Sequence, residues 1–598
     1  MKIFAPEVFK ESLGKNKKNN TLVIIVHGLR SSPARFEAFS EDCIKAANDV
    51  YIPKMPYGNV ISSTPTSKII SNLNTKITQH VSNKNYDKII LIGHSFGAQI
   101  IRSLYCAAWV AKPSSPNEYT IQKNSQWVEK VERIVYIAGM HRGWDTESFV
   151  KRTEQAAVIL FNLFTVFYRW LPRLRPTFLE SRRGSPSLIA LRMKAQRLNK
   201  YLSDKRPDIN PVTVQVLGAR DDFVTPVSQI DISPNSQTYY AEVPGSGHKN
   251  IIYTPSYYDK GDIPETTQEQ AQERQQVFGT VIYAPEKVLK AGKDDNIFST
   301  VEYEVQDVTE GVTDLVFIIH GIRDKAYWTP KLARKIKAKA EDQRGKRVVE
   351  TATPTYGYFP IVNFLAPILR RKKVDWLIDQ YVMLRAKYPD AKFHYIGHSN
   401  GTQLFVEALR KYDDFHFDNV VFAGSVVRRH FDWTPFLTHQ VRRVRNYVAT
   451  NDIVVAIFPK GLQWLSYFNL GSAGHDGFST KHKHLENVGY VPGGHGAAVG
   501  DDIWDEIATY ILGGSGPPET YAPKRTLGAR ILGSLSALLV LALAGFIGWI
   551  GYSLTKVMID RLELGDGNAF LGFVNSPAFP LMGLVAFVGL IYWMGKKF

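Results

Sequence analysis

Cysteine is scarce in this chain, and several familiar binding motifs are missing. Cys43 and Cys106 are the only two cysteines among 598 residues, which excludes a disulfide framework and favours a reducing compartment. The N-terminal stretch 1–20 turns polar almost at once, so we expect no signal peptide. No P-loop or G-x-G-x-x-G pattern stands after a strand-like run, and we therefore expect no nucleotide cofactor.

One stretch is rich enough in histidine to suggest a metal site. Gly474–His484 (GHDGFSTKHKH) offers His475, Asp476, His482 and His484 as candidate ligands. Their spacing is irregular and matches none of the regular zinc patterns. The stretch therefore predicts a solvated loop, and we expect neither a metal nor any other cofactor.

Negative charge is also in short supply, since 73 lysines and arginines face 56 acidic residues and leave a net charge of +17. Such an excess favours nucleic acid or an anionic membrane surface as a partner, beside the simpler interpretation of a solvated surface. No helix-turn-helix, zinc-finger or RRM pattern is present, and the lysines and arginines cluster beside apolar and aromatic runs. We therefore expect an anionic membrane surface as the partner and no nucleic acid.

Two long uncharged runs lie towards the C-terminus. Ile531–Ser553 has 23 residues without a charge, and Ala569–Met594 is uncharged as well. As helices, both are long enough to cross about 30 Å of hydrocarbon. Glycine, tryptophan and tyrosine within them are typical of membrane helices and their interfaces. The two runs predict a transmembrane helical hairpin.

The charges around the two runs predict their orientation. Lys524, Arg525 and Arg530 precede the first run, and Lys596 and Lys597 follow the second. Positive flanks favour the cytoplasmic side of a membrane, and a hairpin returns both of its ends to one side. We expect an integral membrane protein whose large N-terminal part faces the cytoplasm, at the inner or plasma membrane if the chain is bacterial.

The chain before these runs contains a duplication. LVIIVHGLR (Leu22–Arg30) matches LVFIIHGIR (Leu315–Arg323), and GHSFG (Gly93–Gly97) matches GHSNG (Gly397–Gly401). Three further pairs follow the same order: Met55–Gly58 with Pro354–Gly357, Val135–Met140 with Val420–Ser425, and Val243–His248 with Val491–His495. Continuous β-branched runs are typical of strands buried in a parallel sheet. Each half is therefore predicted to be a doubly wound α/β sheet.

The predicted organisation has four parts. They are an α/β domain with an apolar insertion, a second α/β domain, a Gly/Pro-rich linker and the membrane hairpin, over residues 1–285, 286–512, 513–530 and 531–598. Ser256–Lys293 between the two halves is polar and linker-like, although Val277–Ala284 is compatible with an added edge strand.

Both G-x-S-x-G pentapeptides follow an apolar strand-like run and open a predicted helix, the context in which this motif presents a nucleophilic serine. Ser95 and Ser399 are the two candidates. A serine needs a base that is oriented by a third group, and after this turn the expected chain order is serine, acid, histidine. Both halves have that order, with these candidates: Asp221 and His248 after Ser95, and Asp452 and His495 after Ser399.

The acid of the first half is ambiguous from sequence alone. Asp221 stands three residues after Gly218, which favours it. Asp222 aligns better with Asp452 when the two Asp-x-Val runs are matched, so it remains an alternative acid.

Serine attack also requires backbone N–H donors for the developing oxyanion. One should come from the residue after each serine, Phe96 or Asn400, and the other from the loop after each His-Gly pair, Leu29 or Ile322. His27 and His320 in those pairs are predicted to be structural, each closing the end of a strand.

Together these residues resemble the α/β-hydrolase superfamily, and specifically its serine lipases and esterases. The resemblance covers Thr21–Tyr253 and Leu315–Ile511 and is carried by VHG-L/I-R, GHS-x-G, the acid and the final Gly-His. It implies two α/β-hydrolase domains that form and hydrolyse a serine ester, with the substrate undefined. The second half departs from the pattern, because its acid lies in ATND and lacks the preceding glycine.

The first half carries an insertion that the second lacks. Ala156–Pro176 is apolar at first and is followed by arginines, including Arg182 and Arg183. It is either a core helix of a larger domain or a lid or interfacial helix, and we prefer the second interpretation. Tyr356–Lys373 in the second half is a shorter apolar run that ends in four bases. We therefore expect Ser95 to be the principal lipid-facing nucleophile, with Ser399 acting on another substrate or in regulation.

The leading functional hypothesis is a membrane-anchored serine ester hydrolase that cleaves membrane lipids at the cytoplasmic leaflet. One alternative is a thioesterase or deacylase of acylated proteins, or a hydrolase of small esters. Another is a single active unit regulated by a non-catalytic sensor or dimerisation unit. The sequence leaves the oligomeric state open, and a homo-oligomer is compatible with the dimerisation alternative. A membrane-disrupting effector is a third.

Overall fold

The structure is a computed structural model of the full chain, and it divides into two compact units. Unit 1 is Met1–Val308 with Val382–Lys387, and unit 2 is Thr309–Tyr381 with Tyr388–Phe598. The residues that the structure describes are 7–11, 20–57, 62–115, 118–144, 176–221, 226–231, 237–258, 266–291, 309–322, 327–342, 347–355, 364, 367–437, 439–514 and 524–561.

The described strands are numbered in chain order. They are β1 Val8–Lys10, β2 Thr21–Val26, β3 Asp49–Ile52, β4 Lys88–His94, β5 Trp109–Ser115, β6 Glu118–Lys123, β7 Val131–Ile137, β8 Val212–Gly218, β9 Thr238–Val243, β10 Asp314–Ile319, β11 Val349–Ala352, β12 Lys392–His398, β13 Phe417–Ala423, β14 Val441–Ala449 and β15 Leu485–Val491.

The described α-helices are numbered in the same way. They are α1 Glu37–Cys43, α2 Thr66–Asn83, α3 Phe96–Ala107, α4 Pro186–Lys205, α5 Pro226–Gln229, α6 Pro255–Tyr258, α7 Gln268–Tyr283, α8 Glu286–Ala291, α9 Thr329–Glu341, α10 Pro367–Lys387, α11 Asn400–Lys411, α12 Thr434–Leu437, α13 Ile453–Leu462, α14 Ala473–Asp476, α15 Trp504–Ile511 and α16 Leu527–Arg561.

Each unit is built on one large, mainly parallel sheet. The strand order in unit 1 is β1-β3-β2-β4-β7-β8-β9, and only β1 is antiparallel to its neighbour. The order in unit 2 is β11-β10-β12-β13-β14-β15, and every pair is parallel. Strands β5 and β6 form a separate two-stranded sheet. When β1, β5 and β6 are left out, the two large sheets have the same strand order, numbered within each unit. This α/β architecture with parallel sheets agrees with the fold class predicted from the sequence.

The strands pack on both faces, which explains their continuous apolar sequences. In β2, Leu22 and Ile24 belong to one buried cluster while Val23 and Ile25 belong to another. Successive side chains of a strand point to opposite faces, so one unbroken β-branched run supplies both cores.

The edge strand considered for Val277–Ala284 is wrong, because this run lies in helix α7. The helix begins with a capping box in which the Thr267 side chain accepts from the Gln270 backbone and the Gln270 side chain accepts from the Thr267 backbone. Val277, Phe278 and Val281 then recur at helical spacing and are buried in unit 1. The whole of α7, and α8 after it, lie within Ser256–Lys293, so this stretch is largely helical and not the linker predicted for it.

Both apolar insertions fall largely outside the described residues. Of Ala156–Pro176 only Pro176 is described. In the shorter run, Arg370 is one of the four terminal bases, yet it is buried and donates to the carbonyl oxygens of Phe364 and Phe468. Arg370 therefore stabilises loop backbone inside unit 2 and does not add to the basic surface.

Helix α16 contains the whole of the first predicted membrane segment, Ile531–Ser553. Within the described part of the chain it is the one helix long and apolar enough to cross a membrane, over Leu527–Gly545 with a mean hydropathy of 2.0. The second predicted segment, Ala569–Met594, lies outside the described residues.

Candidate active sites

Ser95 occupies the sharp turn between strand β4 and helix α3. Its backbone has φ 54° and ψ −121°, a conformation that costs free energy for a residue with a Cβ. Glycines on both sides make the turn possible, since a Cβ on Gly93 would lie 2.6 Å from the Cα of Ala98 and one on Gly97 would strike the carbonyl oxygen of Val26. The G-x-S-x-G spacing thus reflects how closely strand and helix approach.

Ser399 has the same geometry in unit 2. It lies between strand β12 and helix α11, with φ 52° and ψ −118°. A Cβ on Gly401 would approach the carbonyl oxygen of Ile319 to 2.7 Å. Each serine therefore stands at the first turn of a helix, at the carboxyl end of a parallel strand.

In unit 1 the structure brings Ser95, His248 and Asp221 together. His248 Nδ1–H donates to Asp221 Oδ2 over 2.9 Å, and Ser95 Oγ–H donates to His248 Nε2 over 2.9 Å. An ionised carboxylate only accepts, which places the ring proton on Nδ1 and leaves Nε2 free to take the serine proton. All three side chains are buried. The alternative acid, Asp222, lies outside the described residues.

Two further residues support this arrangement and carry no signal in the sequence. Gln229 Nε2 donates to Asp221 Oδ2 over 2.7 Å, so the acid accepts from both Gln229 and His248. His94 Nε2–H donates to the carbonyl oxygen of His248 over 3.0 Å and holds the histidine loop against the end of β4. Both contacts join residues that are not neighbours in the chain, eight and 154 positions apart, so only the fold reveals them.

His27 has the structural role predicted for it. Its Nδ1–H donates to the carbonyl oxygen of Gly28 over 3.0 Å, and its Nε2 accepts from the backbone N–H of Met55 over 3.3 Å. Burial lowers the pKa of His27 to about 4 and that of His94 to about 3. Both rings are therefore neutral at pH 7 and act as fixed hydrogen-bonding groups. In unit 2, His320 makes similar contacts with Gly321 and Thr355.

These two buried histidines predict that unit 1 loses stability in acid. The pKa values of His27 and His94 in the folded chain lie below the ordinary value of 6.5. As the pH falls from 6.5 to about 4, both side chains are therefore protonated in the unfolded chain but stay neutral in the folded chain. We expect each histidine to lower the free energy of unfolding by about 1.4 kcal/mol for every pH unit below 6.5, until the pH reaches about 4. Denaturant titrations of His94→Gln and the parent at several pH values test this. If the free energy of unfolding falls with pH at the same rate in His94→Gln and in the parent, the expectation is wrong.

In unit 2, His495 is hydrogen-bonded to Asp452, but Ser399 is not hydrogen-bonded to His495. His495 Nδ1–H lies 3.1 Å from Asp452 Oδ1 and 3.0 Å from Oδ2. Among the described residues, which include all three, no hydrogen bond joins Ser399 Oγ to His495. The side chain of His495 is 19% exposed against 7% for His248. The second histidine is the more accessible to solvent.

Asp452, whose motif lacks the preceding glycine, is held by the start of a helix. It is the N-cap of α13, and its Oδ1 accepts from the backbone N–H of Val455 over 2.9 Å. Burial disfavours its charged form, but the nearby His495 and the Val455 N–H outweigh burial and lower the pKa of the carboxyl. The carboxylate is thus available to orient His495 at neutral pH.

The loops after the two His-Gly pairs approach the serines closely. A Cβ on Gly28 would lie 2.9 Å from the Cβ of Ser95, and one on Gly321 would lie 2.8 Å from the Cβ of Ser399. Leu29 and Ile322 follow these glycines directly. Phe96 and Asn400 are the first residues of α3 and α11, where backbone N–H groups lack partners within the helix. The four predicted donors thus belong to segments that border the serines.

Gly28→Ala is expected to lower kcat of the unit 1 site by about ten- to a hundredfold, because the new methyl group displaces the serine or the donor loop. Ester hydrolysis measured in a Ser399→Ala background tests this. The control is Gly279→Ala in helix α7, where a Cβ meets nothing within 4 Å. Equal activity of the two variants would contradict the expectation.

The histidine-rich stretch is only in part the solvated loop predicted for it. Residues 479–484 lie outside helices and strands, with Lys481 and Lys483 exposed, whereas His475 and the side chain of Asp476 are buried at the end of helix α14. Asp476 pairs with Lys460 over 3.0 Å and with Arg525 over 2.9 Å, which explains why it can leave solvent. Among the described residues, no group of three or more His, Cys, Asp or Glu side chains is arranged to hold a metal.

Residues 16–144 match the model of the family described as "Putative serine esterase (DUF676)". That segment contains the G-x-S-x-G turn that carries Ser95. The chain is a serine ester hydrolase. No curated protein shows significant similarity to the hydrolase.

Solved structures similar to the hydrolase include lipases and an esterase. A monoacylglycerol lipase of Paleococcus ferrophilus is 13% identical over 47% of this chain and 98% of its own, with a TM-score of 0.29. A soluble variant of monoglyceride lipase from Saccharomyces cerevisiae is 10% identical over 46% and 92%, with a TM-score of 0.30. A thermophilic esterase from Thermogutta terrifontis is 14% identical over 46% and 94%, with a TM-score of 0.25.

Proposed function

We propose that the chain is a membrane-anchored hydrolase with two α/β-hydrolase units, cleaving acyl esters of membrane lipids at the cytoplasmic leaflet by a Ser-His-Asp mechanism. The observation that carries the proposal is the continuous hydrogen-bonded chain from Ser95 through His248 to Asp221, with both bonds at 2.9 Å. This is the geometry in which a serine hydroxyl can be deprotonated as it attacks.

The reaction at unit 1 follows from that geometry. Ser95 Oγ attacks the ester carbonyl carbon while its proton passes to His248 Nε2, and the Leu29 and Phe96 N–H groups stabilise the oxyanion. The tetrahedral intermediate expels the alcohol, which takes the proton from His248 and leaves an acyl-serine. Water then gives its proton to His248 and attacks the acyl carbon, and the carboxylic acid departs as Ser95 regains a proton. Asp221 stays ionised and stabilises the imidazolium.

Charge and hydropathy support a membrane lipid as substrate. Helix α16 is apolar enough to cross a bilayer, and Lys524, Arg525 and Arg530 stand at its N-terminal end. Basic residues there favour the cytoplasmic side and attract anionic headgroups. The net charge of +17 adds to that attraction.

Labelling with a fluorophosphonate probe tests the chemistry. Ser95→Ala should abolish labelling of unit 1, and combining it with Ser399→Ala should abolish labelling of the whole chain together with lipid ester hydrolysis. Ser103→Ala, a serine within helix α3, is the matched control and should label as the parent does. Unchanged labelling and hydrolysis in the double variant would refute the proposal.

The orientation of the chain in the membrane is tested by adding protease to the outside of sealed spheroplasts. Both units should survive intact and be degraded only after the membrane is opened. Digestion of the N-terminal part before opening would overturn the cytoplasmic assignment.

A further inference from the structure

Helix α13 and the turn that follows it expose large apolar side chains. Val454 is 51% exposed, Trp464 is 55% exposed and Tyr467 is 67% exposed. We call this surface, Ile453–Tyr467, the α13 shoulder. Exposed apolar side chains grouped on one element commonly mark a contact surface, and tryptophan and tyrosine are enriched where such a surface meets a bilayer.

The α13 shoulder packs against the candidate membrane helix α16. A Cβ on Gly461 would lie 2.6 Å from Val540 Cγ2 and 2.7 Å from the carbonyl oxygen of Ser536, so the glycine lets the two helix backbones approach closely. At the other end, the Thr526 backbone N–H donates to the carbonyl oxygen of Thr450 over 3.0 Å, just before α13. The two helices therefore run side by side in the same direction, with the Gly461 end further along α16.

The position of the bilayer along α16 is narrowly constrained. The uncharged run Ile531–Ser553 has 23 residues, and Lys556 follows it closely. As a helix the run is about 35 Å long, against about 30 Å of hydrocarbon, so it can slide by only a few ångströms. Ser536 and Val540 are about 7 and 14 Å beyond Ile531, which places them inside the hydrocarbon. The Gly461 end of α13 lies at the same depth.

Three charged side chains beside α13 and α16 are paired in one group. The Asp476 carboxylate accepts from Lys460 and from Arg525, and Arg525 also donates to His475 Nε2 over 2.8 Å. The three charges leave a net charge of +1 within one hydrogen-bonded group. Ionisable residues near a bilayer are tolerated when they pair in this way.

The same contacts connect the bilayer to the second active site. Thr526 Oγ1 donates to Asn451 Oδ1 over 2.9 Å, and Asp452 is the N-cap of α13. Asp452, whose carboxylate orients His495, thus immediately precedes the α13 shoulder and immediately follows Asn451, the residue that contacts the start of α16. A bilayer around α16 therefore places the Ser399 site at headgroup level.

We propose that the α13 shoulder inserts into the lipid bilayer beside α16 and holds the second active site at the membrane surface. This rests on the proposed membrane anchoring of the chain. It differs from the expectation that Ser95 is the principal lipid-facing nucleophile, because the contacts with α16 belong to the unit that contains Ser399. The bilayer is the partner, and Trp464 and Tyr467, which follow the end of α13, are the exposed aromatic side chains that enter it.

Depth measurement on the full chain in phosphatidylcholine vesicles tests the proposal. A nitroxide is attached at Trp464→Cys, and its collision rates with oxygen and with a water-soluble nickel complex are compared with those at two reference sites. Leu538→Cys, on α16 between Ser536 and Val540 and 63% exposed, reports the anchor. Val348→Cys, an exposed apolar residue elsewhere in unit 2, reports water. Cys43 and Cys106 are buried, so the introduced thiol takes the label.

We expect the nickel collision rate at Trp464→Cys to be about tenfold lower than at Val348→Cys and close to that at Leu538→Cys. A low rate at Leu538→Cys with a water-like rate at Trp464→Cys would overturn the insertion of the α13 shoulder and leave the anchor intact. A water-like rate at Leu538→Cys would refute the membrane anchoring itself, and the insertion with it. Fluorophosphonate labelling of each variant shows that its active sites have folded.

Discussion

Asp221→Asn is expected to lower kcat of the unit 1 site about 10⁴-fold while leaving Ser95 and His248 in place. The carboxylate only accepts, so it requires the ring proton on Nδ1 and leaves Nε2 to take the serine proton. An amide at the same position can donate to Nδ1. The ring then carries its proton on Nε2 and cannot act as the base for Ser95.

The measurement is hydrolysis of a soluble short-chain ester in a Ser399→Ala background, so that only unit 1 contributes. Asp204→Asn, which makes the same chemical change at a carboxylate that is 47% exposed, is the control and should leave kcat unchanged. The thermal midpoint of Asp221→Asn shows whether any loss comes from unfolding. A fall of less than about tenfold would mean that Asp221 does not orient the base.

A smaller effect is expected at the neighbouring amide. Gln229 Nε2 donates to Asp221 Oδ2 over 2.7 Å, so Gln229→Ala removes this hydrogen bond to the acid but leaves the bond to His248. A role in positioning predicts a lower kcat at unchanged KM, with partial recovery in Gln229→Asn.

The sequence predicts the chemistry of unit 1 because that chemistry depends on order along the chain. Strand, serine turn and helix recur with the acid and the histidine after later strands, and parallel strands bring those loops to one edge of the sheet. The choice between Asp221 and Asp222 depends on which carboxylate reaches His248. That depends on the backbone geometry, and two identical neighbouring residues give no sequence signal to separate them. The structure places Asp221 there, at 2.9 Å.

The features that sequence could not supply are tertiary contacts. Val277–Ala284 is β-branched and aromatic, so its local pattern suits a strand, but a capping box and buried residues at helical spacing place it in α7. The polar neighbours of His475 predict a solvated side chain, whereas pairing of Asp476 with Lys460 and Arg525 lets these two residues leave water. Burial against the unit 1 core decides the first case, and charged partners distant in the chain decide the second.

Asp231→Asn is expected to cost about 3–5 kcal/mol of unfolding free energy in unit 1, because it leaves two buried guanidinium groups without their counter-charge. Asp231 Oδ2 accepts from Arg102 Nη1 over 2.7 Å, and Oδ1 accepts from Arg192 Nη2 over 2.8 Å. Burial disfavours the charge of Asp231, but the two arginines outweigh burial and lower its pKa. Arg102 belongs to α3, the helix that begins after Ser95, and Arg192 belongs to α4, so the carboxylate joins these two helices.

The test is denaturant unfolding of unit 1 in the full chain, with a second variant to separate charge from packing. Replacing all three residues with apolar ones, as in Arg102→Met with Arg192→Met and Asp231→Leu, removes every buried charge at once and should be less destabilising than Asp231→Asn alone. The asymmetry arises because breaking the group leaves unpaired charges in the interior, whereas removing it leaves none. If the triple variant proves the less stable, the three side chains contribute attraction beyond their desolvation cost, and the ion group itself stabilises the helix that positions Ser95.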